Sequence, residues 1–555
     1  MKQKMPIGID DFKEAIESYY VVDKTYFIKE LVEQHKKVTL FTRPRRFGKT
    51  LTMSMLDYFF SRDHKDDGSL LFRNLYIAKE QDFCKKEQNK YPLIFMSLKD
   101  CAGSTWEETF SQFQLFIQIE FQKHRYLLET QLLEAEEQEQ FKRFLNLTAT
   151  VAEYQLSLWY LSSYLYRYTK VKPILLLDEY DVPLQNAYMN GFYDQAILFF
   201  RRWFSITLKG NEYLHFAVLT GVLRLAKESI FSGLNNLSVY SVLAEPYSDV
   251  FGFTAEEVQK MAADLGYSQN VPEIKQWYDG YQFGQTEIYN PWSVISYFDA
   301  KGKPAPYWVN TSNNSVLKTL LQHADEERIQ SLQELIKGQS IRTAIDEGII
   351  YHAMYTQDAA LYTLLLSTGY LKALHSNTTN GLETYTVMIP NEEIKRIYRQ
   401  EILTNLVDTI NINSFMKFQH ALLHGDSRQV ERELQYLLLK MASFYDTRSS
   451  EAFYHGWLLG MTCLLNGTDY QVLSNRESGY GRFDVAIIPQ VHTLAGVIME
   501  FKVAKDISSL EDKAEEALQQ IERKKYAVEF AARHVENIWK YGIAFCGKHV
   551  KVLQG

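Results

Sequence analysis

The chain has 555 residues, 46% of them hydrophobic and 23% charged, which suits a folded protein of roughly three or four units and excludes a long disordered tract. A formal net charge of −8 excludes a protein that coats polyanions with a broad positive field, so any nucleic-acid contact has to come from a local basic patch. Four scattered cysteines without a CxxC pair suggest neither a zinc site nor a disulfide framework, and without a signal-like N-terminus or an apolar run of about 18 residues the expectation is a cytoplasmic protein that makes no membrane contact.

In chain order, the first half alternates buried-strand runs with helical patterns. The runs are Lys37–Phe41, Leu93–Leu98, Pro173–Asp181 and His215–Thr220, and continuous apolar strands between helices predict a parallel sheet covered on both faces. This α/β, P-loop-type domain is expected over residues 1–250. A helical, lid-like region is expected over 251–310, in which Asn290 caps a helix that begins at Pro291. The stretch Lys301–Pro306, KGKPAP, marks a joint, and a helix-rich middle region follows over 311–440. Over 441–555 the pattern turns to alternating helix and strand, an α/β unit of its own.

The first strand runs into TRPRRFGKTLTMSMLDYFF, where Gly48, Lys49 and Thr50 form the GK[ST] end of a Walker A loop that opens a helix. Loop N–H groups point at phosphate oxygens, Lys49 reaches the β and γ phosphates, and Thr50 offers its hydroxyl to Mg²⁺; Arg46 and Phe47 are counted with the nucleotide-binding loop. The full pattern wants a glycine where this chain has Arg43. About 130 residues on, the strand ILLLDEYD ends in Asp178 and Glu179, where an aspartate holds Mg²⁺ and a glutamate polarises the attacking water. Thr220 closes another strand as either a sensor of the γ phosphate or a strand-end cap. Arg224 and the pair Arg201–Arg202 are candidate stabilisers of the transferring phosphoryl group, with surface salt bridges as the plainer alternative.

Nearer the end, Glu451–Leu465 has the periodicity of a helix that carries Glu451 and His455 one turn apart on one face. GYGRFDVAIIP then brings Asp484 to a strand, and LAGVIMEFKVAKD puts Glu500 and Lys502 on the same face of the next. A Gly-rich turn with Asp, about fifteen residues, and a strand ending ExK is the PD-(D/E)xK signature. Its carboxylates, here Glu451, Asp484 and Glu500, bind Mg²⁺, while the lysine orients water or neutralises developing charge.

The stretches PIGIDDFKEAIESYYVVDKTYFIKEL, FTRPRRFGKTLTMSML, LLLDEYDVPL and LTGVLRLAKESIFSGLNNL resemble the AAA-ATPase-like family of bacterial proteins that carry a PD-(D/E)xK nuclease domain at the C-terminus. The likeness covers about residues 5–300 and the last hundred. In that family the loop reads RPRRFGK[ST], so Arg43 is its usual form. The resemblance implies an AAA+-like fold, a restriction-endonuclease-like second domain, ATP and Mg²⁺ as cofactors, DNA as the nucleic-acid partner, and assisting roles for Gln520 and Tyr526. The expectation is an ATPase, catalysed by Glu179, coupled to a metal-dependent deoxyribonuclease whose catalytic residues are Asp484, Glu500 and Lys502. The alternative is a nucleotide-dependent, homo-oligomerising switch in which the nuclease-like domain is an effector or a binding module.

Overall fold

The computed structural model describes residues 4–224, 236–308, 331–332, 334–336, 338–348, 358–379, 382–398, 412–441, 454, 458, 461–462, 465, 469–478, 481–491, 493–531 and 533–555. The chain divides into two compact units: Met1–Asn313 with Arg342–Ile394, and Asn314–Ile341 with Lys395–Gly555. The chain therefore leaves the first unit, returns to it and leaves again.

The first unit is built on a five-stranded sheet of β1 (Val38–Thr42), β2 (Leu93–Ser97), β3 (Ile174–Asp178), β4 (Ala217–Gly221) and β5 (Leu237–Tyr240), in the order β2-β3-β4-β1-β5. All four strand pairs are parallel. β1, β3 and β4 are buried along their whole length, as strands covered on both faces must be. β5 is absent from the apolar runs of the sequence. It is an edge strand with one neighbour and is only half-buried, so its short LSVY carries no continuous hydrophobic signal. The surrounding helices start where the sequence caps them, with Thr150/Glu153 and Thr254/Glu257 capping boxes. Asn290 caps the helix Pro291–Asp299 through its side-chain oxygen, as expected.

Further along come the antiparallel hairpin β6 (Tyr281–Phe283) and β7 (Thr286–Ile288), then β8 (Ile341–Ala344), β9 (Lys372–Thr379) and β10 (Leu382–Met388), which form a three-stranded sheet. The sequence reading has helices across that stretch. The strands are rich in threonine, whose branched side chain favours a pleated strand but contributes nothing to a hydrophobic period.

The second unit holds β11 (Tyr470–Ser478), β12 (Gly481–Pro489), β13 (Gly496–Val503), β14 (Ile538–Cys546) and β15 (His549–Gln554), paired in sequence order. Only β13 and β14 are parallel, joined by a crossover that contains the helix Leu510–Arg523. One face of the sheet, including Val485, Ile487, Met499 and Tyr541, shares a core with the helices Ile412–His424 and Ser427–Met441. The whole is an α/β multi-domain protein. No helix among the described residues is long and apolar enough to cross a membrane.

Candidate functional site

The first site lies at the C-terminal ends of β1, β3 and β4, where a parallel sheet presents its loops. β1 leads into a loop whose last residue, Gly48, has φ +82° and opens the helix Lys49–Phe60. That left-handed backbone favours glycine, and the position a Cβ would take has no atom within 4 Å, so the loop has an open face. Lys49 is buried and donates to the carbonyls of Arg43 at 3.0 Å and Pro44 at 2.9 Å. Burial lowers its pKa, and the carboxylates of Glu179, Asp178 and Asp181 work against that shift.

β4 lies between β1 and β3, which brings Thr220 to the acids at the end of β3. The Thr50 hydroxyl donates to Asp178 Oδ2 at 2.7 Å and the Thr220 hydroxyl donates to Asp178 Oδ1, so one carboxylate joins helix start and strand ends. Glu179 has φ +52°, a backbone that a non-glycine residue adopts at a cost of order 1–3 kcal/mol and that recurs at functional sites. Burial raises the pKa of its carboxyl, with Lys49 opposing. Lys49, Thr50, Asp178, Glu179 and Thr220 are thus brought together. An open loop with a buried ammonium, facing a Thr-bonded carboxylate, fits a magnesium-bound nucleotide phosphate.

Other residues expected at this site go elsewhere. Phe47 is buried with its ring 5.0 Å from that of Tyr281 and 5.2 Å from that of Phe283, and Arg46 lies over the Trp292 ring at 4.3 Å. Only their backbones belong to the loop. Arg224 stands 4.0 Å from Glu347, and Arg201 and Arg202 are exposed on the helix Tyr193–Leu208. Sequence reasoning missed Asp181, although it follows the acid pair in DEYD. Its buried carboxylate accepts from the backbone N–H groups of Val222 and Leu223, both at 2.9 Å, and so ties the end of β4 to the acid loop. Gly221 lets them approach, since a Cβ there would lie 2.6 Å from the Tyr180 ring.

Arg43 has a structural explanation. Its guanidinium is fully buried and donates to the carbonyls of Thr42, Tyr240 and Tyr247, between the rings of Phe251 and Phe283. Burial lowers its pKa, but three carbonyl acceptors and the high intrinsic basicity of guanidinium keep it charged. Where the general loop pattern has glycine, this chain has a bolt between β1 and the segment after β5.

The second site lies on β12 and β13. Asp484 is on β12, with Oδ2 accepting from the Phe501 N–H at 2.7 Å, and Glu500 and Lys502 share one face of β13. Glu500 is 2% exposed; its Oε1 is 3.9 Å from Lys502 Nζ and accepts from Gln520, which also approaches the hydroxyl of the buried Tyr526 at 3.4 Å. Glu500 Oε2 is buried with no hydrogen-bond partner among the described residues. Burial, and then the charge of Asp484, push the Glu500 carboxyl far above the usual carboxylate range. Two facing acids, one with a bare buried oxygen, fit a hard divalent cation. Among the described residues no group of three or more His, Cys, Asp and Glu gathers as a metal cluster; Glu451 and His455 lie outside the described residues.

Residues 6–231 match the family described as predicted AAA-ATPase, and residues 449–555 match the PD-(D/E)XK nuclease superfamily. The chain joins an AAA-ATPase-like domain to a PD-(D/E)XK nuclease-type domain. It is also 26% identical, over 98% of its own length and 96% of the relative's, to an uncharacterized protein in the vnfD 5' region of Azotobacter chroococcum mcd 1.

Proposed function

We propose that the chain binds and hydrolyses ATP with Mg²⁺ at the first site and cuts phosphodiester bonds of DNA, with a divalent metal, at the second. In the first, Lys49 holds the phosphates, Thr50 and Asp178 hold the metal, and Glu179 accepts a proton from the attacking water. Its carboxyl, raised by burial, is a better proton acceptor near neutral pH than an exposed glutamate. In the second, Asp484 and Glu500 hold the metal and Lys502 orients the water or neutralises the charge that builds on the phosphate. A divalent cation held there by Asp484 and Glu500 would polarise the scissile phosphate and supply hydroxide at neutral pH.

The observation that carries the nuclease reading is the bare buried oxygen of Glu500 beside Asp484. Two like charges side by side, one of them buried, are costly unless a cation is shared between them. Loading that cation displaces a proton from Glu500, so metal affinity rises with pH.

The test is cleavage of plasmid and oligonucleotide DNA by the purified protein with Mg²⁺, Mn²⁺ or chelator, with and without ATP. Glu500→Ala and Asp484→Ala abolish cutting. Lys502→Ala slows it by about 10²- to 10³-fold and keeps metal binding, because it removes a charge acting on the transition state and not a ligand. Metal-dependent cutting that persists in Glu500→Ala, with contaminating nuclease excluded, overturns the assignment.

A further inference from the structure

We propose that Arg45 is the catalytic cation of the ATPase site, a side chain of the phosphate loop itself that contacts the terminal phosphate during transfer. The inference rests on the ATPase reading above. The loop has three arginines, and they go to three places. Arg43 is consumed by backbone carbonyls, and Arg46 lies over Trp292. Arg45 turns the other way: its Nη2 lies 3.4 Å from Gln185 Oε1, on the helix Val182–Met189 that begins just after the acid pair. Its charge acts on both Lys49 and Glu179. Arg45 therefore reaches from the loop to the helix that follows the strand-end acids, and the terminal phosphate of a P-loop substrate lies between that loop and those acids.

The backbone that carries Arg45 is anchored. Its carbonyl accepts from the Trp308 indole N–H at 3.3 Å. The Trp308 backbone N–H donates to Glu393 Oε1 at 2.9 Å, and the Ser293 hydroxyl donates to Glu393 Oε2 at 2.7 Å. Trp308 and Glu393 are both buried, which makes them positioning residues for the loop arginine. A cation held in advance where charge develops needs no reorganisation during the reaction.

In the transfer, a water oxygen bonds to the γ-phosphorus as the bond from that phosphorus to the β–γ bridging oxygen breaks. The water's proton passes to Glu179, and the electron pair of the broken bond stays on the ADP oxygen. Arg45 neutralises the charge on the γ oxygens and on that leaving oxygen.

The experiment compares wild type with Arg45→Ala, Arg45→Lys, Trp308→Phe, Lys49→Ala and Glu179→Gln, each checked for folding by thermal melting. It measures ATP binding, turnover, and retention of ADP with and without aluminium fluoride. Arg45→Ala binds ATP within about threefold of wild type, loses turnover by about 10²- to 10³-fold, and no longer retains ADP better in aluminium fluoride. Arg45→Lys recovers part of this, having the charge without the fork. Trp308→Phe keeps an aromatic ring, though a smaller one, and loses the N–H; it lowers kcat at unchanged KM and adds nothing to Arg45→Ala. Arg45→Ala that turns over at the wild-type rate, or that loses binding in proportion to turnover, overturns the proposal. If Glu179→Gln stops turnover while Arg45→Ala does not, only the role of Arg45 falls. If wild type and Lys49→Ala alike fail to bind ATP, the ATPase reading falls with it.

Discussion

Glu393 shows how much one buried side chain can report. Burial pushes its carboxyl up to about 7, against the opposing hydrogen bonds from Trp308 and Ser293. A carboxyl whose folded pKa lies above its ordinary 4.5 contributes stability that is fully present below pH 4.5 and is lost as pH rises through 7. At full expression the effect is on the order of 3 kcal/mol. Glu393→Gln keeps an acceptor for the Trp308 N–H but cannot ionise. Melting followed from pH 4 to 8.5 should show wild type losing stability relative to the glutamine variant between about pH 4.5 and 7 and levelling off above that. Parallel curves would show that the Glu393 carboxyl titrates alike in the folded and unfolded chain. Nothing in the sequence PNEEIKRIY marks this glutamate, because its environment is made by Ser293 and Trp308, about a hundred residues earlier in the chain. The places of Lys49 and Thr50 at a helix start and of Asp178 and Glu179 at the end of β3 were legible because the chemistry proposed for them asks for those residue types at those places. Arg43, Asp181 and Trp308 bond to backbone, and backbone contacts leave no sequence pattern.

Among the elements, the meeting of β14 with the helix Leu510–Arg523 decides the second site. Gly542 of β14 pairs with Glu500 of β13, and a Cβ on Gly542 would lie 2.2 Å from the Ala514 carbonyl and 2.6 Å from the Leu518 nitrogen. Both are backbone atoms of a packed helix and cannot swing aside, so Gly542→Ala lifts the helix at a cost of about 1–3 kcal/mol. The same helix carries Gln520 onto Glu500, so the variant should bind the metal more weakly than its loss of stability alone explains. Calorimetric metal titration beside thermal melting checks it; metal affinity equal to wild type would show that the helix position does not matter to the site. Strand identity was legible for β1 to β4 and for β12 and β13 from their apolar runs, with an acid as a further mark on β3, β12 and β13. Register and helix approach were not, because they depend on which glycine lies under which helix.

At the scale of the molecule, the two domains are readable from their motifs, but the chain does not cut cleanly between them. The sheet β11–β15 shares its core with Phe418, Leu422, Leu434 and Leu437 from the helices Ile412–His424 and Ser427–Met441. Each such side chain contributes roughly 1.5–3 kcal/mol when buried. A fragment of residues 395–555 should melt cooperatively, and a fragment of residues 441–555 should expose the face of Val485, Ile487 and Met499 and bind a hydrophobic dye; equal melting of the two would sink this. The discontinuity of the first unit also bears on synthesis. Its segments end at Asn313 and Ile394, 81 residues apart (394 − 313), and Glu393, which holds Trp308 and through it the phosphate loop, is in the later one. A ribosome adding about 5–20 residues per second needs some 4–16 s to cross that interval. During that time the nascent chain already contains every residue proposed above to bind phosphate, while the carboxylate that fixes their loop has yet to be translated.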